Sequence, residues 1–173
     1  EIMERVLIQF SGGEADQPVR TVIEVGASTS FFGVMPARMR DPAALGTKLV
    51  GVFPGNAVHG LATHQATIVL LDPESGVLRA VLDGRYITEA RTAAVSAVSV
   101  RHLARNPGPV TVALLGSGVQ AGTHLEAMLL VREIKQVTVW SRTLEHAAEF
   151  ARRQSEQHGI DIHVSETARE AVQ

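Results

Sequence analysis

A chain of 173 residues that is 45% hydrophobic has enough apolar material for one or two small domains, and 18 acidic against 16 basic residues leave a net charge of −2. That balance, with only 4% aromatic residues, excludes a basic, base-stacking nucleic-acid surface. The lack of cysteine excludes disulfides and thiolate metal sites, and no apolar run nears the roughly 18 residues of a membrane span, so a cytoplasmic protein without nucleic-acid or membrane partners is expected.

Ile2, Val6, Leu7 and Phe10 recur at helical spacing, so residues 1–10 form the end of an amphipathic helix. The helix starts without a cap, which points to further residues upstream. After a polar loop at 11–16, residues 19–25 alternate as a strand. Residues 31–35 make a second strand closed by Pro36, and 45–53 a third ended by Pro54-Gly55-Asn56. Strands at 67–71 and 77–82 flank Asp72-Pro-Glu-Ser-Gly76, a hairpin with a five-residue loop. Asp83-Gly84 is expected to be a turn. Up to this point the chain is mainly antiparallel β. Residues 88–104 then form an Ala-rich helix, where Ala90, Ala93, Ala94 and Ala97 allow close packing. Asn106-Pro-Gly-Pro109 breaks that helix and divides the chain into a domain at 1–107 and another at 108–173.

The second domain opens on the most informative stretch. Val110 to Leu115 is a buried-strand pattern that ends in Gly116, Ser117, Gly118, Val119, Gln120 and Ala121, a G-x-G-x-x-A turn leading into a helix. The first glycine permits a tight turn, the second lets a pyrophosphate approach the backbone, and small Ala121 lets helix and strand pack closely. Free N–H groups at the helix start then face the phosphates. A second strand, 136–140, follows, then a helix at 144–157, a strand at 160–164, and a helix begun by Ser165 as its cap. Only one half of a dinucleotide-binding sheet is present, so the chain reads as a fragment of a larger protein.

An NAD-preferring site of this kind puts Asp or Glu about 20 residues after the glycine turn. Here the second strand ends in Trp140, then Ser141, Arg142 and Thr143. A guanidinium between two hydroxyls suits a 2′-phosphate, so NADPH is expected over NADH. Opposite a nicotinamide a substrate site is needed, and the first domain offers isolated cations in apolar settings. Arg20 opens a strand, Lys48 interrupts an apolar one, and Arg91 lies in the first turn of the Ala-rich helix, where a cation opposes the macrodipole unless an anion shares the site. Converging, they would clamp a carboxylate. Each also has a plain alternative as a surface charge or an ion pair. His64 could carry a proton or simply pack, while His124 is expected to be structural. His59, His102, His146, His158 and His163 share no metal-ligand spacing, so no metal site is expected.

Seven segments, in order, carry a resemblance. They are Gln17-Pro-Val-Arg-Thr21, Gly33-Val-Met-Pro36, Thr47-Lys-Leu-Val50, Thr63-His-Gln-Ala-Thr67, Arg91-Thr-Ala-Ala-Val-Ser96, Gly116-Ser-Gly-Val-Gln-Ala121 and Trp140-Ser-Arg-Thr143. Together they resemble the ornithine cyclodeaminase/mu-crystallin family. The resemblance implies an α/β fold, with an N-terminal, mainly antiparallel β domain for substrate and homodimerisation, followed by a Rossmann-type NAD(P)-binding domain. It implies a substrate of α-imino or α-amino acid type, held by Arg20, Lys48, Thr63 and Arg91. Lys48 either joins that clamp or acts catalytically by polarising the imine. Residues 116–121 would hold the pyrophosphate and residues 141–143 the 2′-phosphate of NADPH. Ornithine cyclodeaminases carry an acidic residue where this chain has Gly33, and an acidic segment after the second strand. Both departures favour a ketimine or pyrroline-2-carboxylate reductase over a cyclodeaminase. A protein that binds NADPH and a small carboxylate without turnover is the remaining alternative. The family's catalytic aspartate belongs to the half of the nucleotide domain beyond Gln173.

Overall fold

The computed structural model describes residues 1–26, 29–104 and 108–173. The chain divides into two compact units, Glu1–Thr88 and Glu89–Gln173. Their division falls inside the Ala-rich helix, and the Asn106-Pro107 break lies outside the described residues.

The first unit opens with α1 (Ile2–Ser11) and then builds an antiparallel sheet. Its strands are β1 (Ala15–Asp16), β2 (Thr21–Val25), β3 (Ser30–Met39), β4 (Ala44–Val52), β5 (His64–Leu71) and β6 (Leu78–Asp83). β3 through β6 pair in sequence, while β1 and β2 share the outer flank of β3. A short 3-10 helix, Pro54–His59, links β4 to β5. Pro36 does not close its strand as expected, because β3 runs on to Met39. β2 pairs with β3 up to Val34 and β1 only from Arg38, so Pro36 sits where the flank of β3 carries no strand and its missing N–H is tolerated. The hairpin forms, with a loop one residue longer than expected because β6 starts at Leu78: Asp72 N–H donates to the Val77 carbonyl at 2.8 Å, and Asp72 Oδ1 accepts the N–H groups of Ser75 and Glu74 at 2.8 and 3.1 Å. Arg79 donates to the other carboxylate oxygen.

Asp83-Gly84 is not a turn, because β6 passes directly into α2 (Gly84–Leu103). Asp83 Oδ1 accepts the Arg85 N–H at 2.7 Å and so caps the helix start. Gly84 is buried against β5: a Cβ there would lie 3.0 Å from Ala66 Cβ and 3.1 Å from its carbonyl carbon. That close approach lets the helix begin four residues earlier than its alanine pattern shows. Arg91 therefore stands beyond the first turn, where the helix dipole no longer opposes a cation strongly.

The second unit alternates β7 (Val110–Leu115), α3 (Val119–Leu129), β8 (Ile134–Trp140), α4 (Leu144–His158), β9 (Ile162–Val164) and α5 (Ala168–Ala171). The three strands are parallel, in the order β7-β8-β9. Leu114, Leu125, Val137, Val139, Ala147, Phe150 and Ala151 form its core, with Ala121 packed against it. Arg132 reaches the end of α2, donating to the Ala104 carbonyl at 3.1 Å, a cation on helix-terminal carbonyls. The last helix is capped by Thr167 rather than Ser165. Thr167 Oγ1 accepts the Glu170 N–H at 3.2 Å, and the Glu170 carboxylate accepts the Thr167 N–H in return. The motif needs a carboxylate three residues on, which Thr167 has and Ser165 lacks.

Candidate functional site

The ends of β7 and β8 lie level, Leu115 beside Trp140, and the Gly116 N–H donates to the Trp140 carbonyl at 2.7 Å. Gly116 adopts φ +127°, which only glycine takes up without strain. Gly118 is the N-cap of α3, and a Cβ on it would point into open space. A pocket of about 490 Å³ opens here, lined by Leu115, Gly116, Ser117, Gly118, Trp140, Ser141, Arg142 and His146. Val119, Gln120 and Ala121 form the first turn of α3 behind it, and Thr143 is the N-cap of α4 without a side-chain cap bond. The bare backbone at Gly118, the uncapped start of α3 and a guanidinium across the pocket fit a dinucleotide's phosphates and ribose. No carboxylate lines the pocket.

His146 was not singled out for this site by sequence. Its signal is positional, since it is the third residue after the N-cap Thr143 and belongs to the helix turn nearest the strand end. His124 is structural: its ring bridges the Gln120 carbonyl at 2.7 Å and Ser96 Oγ at 3.0 Å, tying α3 to α2. Among the described residues no cluster of His, Asp or Glu could hold a metal ion, and no helix is long and apolar enough to cross a membrane.

In the first unit Lys48 lies on β4 opposite Met35 of β3, and its Nζ donates to Thr88 Oγ1 at 3.5 Å. Thr88 Oγ1 in turn donates to the Gly84 carbonyl at 2.7 Å. Sequence reasoning passed over Thr88, whose place beside Lys48 follows from the tight seat of α2 on β5. Arg20 is exposed and lines a concavity of about 300 Å³ with Gln17, Pro18, Val19 and Met35. Met35, which lines that concavity with Arg20, is the β3 partner of Lys48. Thr63 is exposed in the bend before β5, and its carbonyl accepts the Phe53 N–H at 2.8 Å. It lies five residues from Ile68, the partner of Lys48, or roughly 16 Å along the strand. Arg91 is exposed and belongs to the second unit. Gly33 is buried on the Lys48 face, where a Cβ would come within 3.0 Å of Val50 Cγ1.

The profile of the "Ornithine cyclodeaminase/mu-crystallin family" matches residues 1–173, the whole chain. The chain belongs to the ornithine cyclodeaminase/mu-crystallin family. The ketimine reductase mu-crystallin of Rattus norvegicus is 42% identical over 98% of the chain and 54% of its own length. A Delta(1)-pyrroline-2-carboxylate reductase of Bacillus cereus is 35% identical over 96% of the chain and 51% of its own length. Among solved structures, Thermococcus litoralis Delta(1)-pyrroline-2-carboxylate reductase, in complex with NADH and L-proline, superposes with a TM-score of 0.91 at 38% identity, over 98% of this chain and 52% of that one. An archaeal alanine dehydrogenase dimer with bound NAD superposes at 0.88 and 31% identity, over 98% and 51%. The chain thus spans about half the length of the relatives it matches, and the family's α/β architecture accounts for both of its sheets.

Proposed function

We propose that the full-length protein is an NADPH-dependent reductase of a small α-imino acid, of the ketimine or pyrroline-2-carboxylate type. The observation that carries this is the nucleotide pocket, where Arg142 and Ser141 face the glycine turn and no carboxylate is present to hold ribose hydroxyls. Bound NADPH would supply the hydride that reduces the C=N carbon, while the nitrogen gains a proton, giving the amine. Arg20, Lys48 and Arg91 bind and orient the substrate carboxylate, with Thr63 on the substrate side, and Lys48 is the catalytic candidate because its ammonium can also polarise the imine. Residues 116–121 hold the pyrophosphate, and Ser141, Arg142 and Thr143 the 2′-phosphate. Gly33 supplies none of the acidic side chain that the resemblance assigns to cyclodeaminases at this position. Relatives named as ketimine and pyrroline-2-carboxylate reductases support the substrate class, and the dimeric alanine dehydrogenase supports a homodimer.

The test is NADPH oxidation by the full-length protein with cyclic α-imino acids, followed at the nicotinamide absorbance. Turnover with at least one such ketimine, faster with NADPH than with NADH, is expected. No turnover with any of them overturns the reading. Release of ammonia from ornithine without net NADPH consumption would replace it with the cyclodeaminase alternative.

A further inference from the structure

His146 lies on the first turn of α4, and it lines the same pocket as Ser141 and Arg142. None of these three side chains has a hydrogen-bond or ion-pair partner among the described residues. The acidic residue one turn further along α4 does not engage the imidazole. Glu149 is held by Arg152 instead, through bonds of 2.8 and 3.2 Å. Thr143 leaves the start of α4 without a side-chain cap, so helix N–H groups there also remain to be satisfied. A guanidinium, a hydroxyl and an imidazole thus line one open pocket with no carboxylate among them.

A terminal phosphate presents three acceptor oxygens and is matched by several converging donors. Ser141, Arg142 and Thr143 do not exhaust that capacity, because each phosphate oxygen can accept more than one hydrogen bond. His146 is the remaining pocket-lining side chain on α4 that can donate. We propose that His146 is a further side-chain donor to the 2′-phosphate and, with Arg142, sets the preference for NADPH over NADH. The proposal rests on the NADPH reading above and deepens it from a segment to a specificity-determining residue outside that segment.

The experiment is calorimetric titration of the full-length protein with 2′,5′-ADP and with 5′-AMP, which differ only by the phosphate in question. Wild type is expected to bind 2′,5′-ADP the more tightly. His146→Leu should cut that discrimination roughly tenfold, the scale of one hydrogen bond to a charged group. His146→Gln, which keeps an N–H donor on a good helix former, should restore most of it. If wild type discriminates and His146→Leu discriminates equally well, the His146 proposal falls while the NADPH reading stands. A variant that weakens both ligands alike overturns it too, since that marks a structural role. Wild type without any discrimination overturns both.

Discussion

Lys48 carries its charge in a strand that is otherwise apolar, half-buried and opposite Met35, with Thr88 Oγ1 within 3.5 Å of its ammonium. Such a placement costs desolvation and is useful if the charge meets a substrate anion. Lys48→Met keeps the stem and removes the charge, so the fold should survive while kcat/KM in the full-length enzyme falls roughly 100-fold, or ~3 kcal/mol. Equal kcat/KM values for variant and wild type would remove Lys48 from the site. Lys48 and Arg20 stand out in the sequence as cations in apolar settings, and Arg142 as a guanidinium between two hydroxyls at a strand end without a carboxylate. Thr88 and His146 were not, since a threonine in a helix and a histidine after a cap are ordinary. Only the seat of α2 and the level ends of β7 and β8 give them neighbours worth naming.

Elements were readable where local chemistry decides them. The 72–76 hairpin is the clearest case, because Asp72 organises its loop by itself. The backbone hydrogen bond from Ser75 comes first, then the Ser75 hydroxyl, and they hold the Asp72 carboxyl well below its ordinary value of 3.8. A carboxyl depressed in the folded state stabilises above its ordinary value, and that contribution is lost as pH falls through the folded value. Asp72→Asn should therefore be less stable than wild type at neutral pH, with the difference shrinking below about pH 3.8. Denaturant midpoints across pH measure this, and a gap that persists unchanged into acid would contradict it. Where tertiary packing decides, the pattern misled. Pro36 looked like a stop, but an unpaired flank absorbs it. Gly84 looked like a turn, but it is a contact surface that Ala66 presses against.

At the scale of the molecule, the parallel unit concentrates its apolar burial in one cluster, with Leu125 and Val139 wholly buried and Phe150 2% exposed. Phe150→Ala should lower stability by about 3–5 kcal/mol, read from the denaturation midpoint of the full-length protein. A loss under about 1 kcal/mol would mean that Phe150 is not central to that core. The alternation of one strand period with one helix period made this unit legible from sequence, whereas the pairing of β1 and β2 on one flank of β3 depends on long-range register that no local pattern carries. The 2.7 Å bond from Gly116 to Trp140 has a wider consequence. It clamps two neighbouring loops at a common height through backbone atoms alone. If the proposed roles hold, the loop that grips the nucleotide and the loop that chooses between nucleotides are joined by this one backbone bond. On the NADPH reading proposed above, replacing the residues after Trp140 is expected to change the cofactor preference while the glycine turn is left untouched.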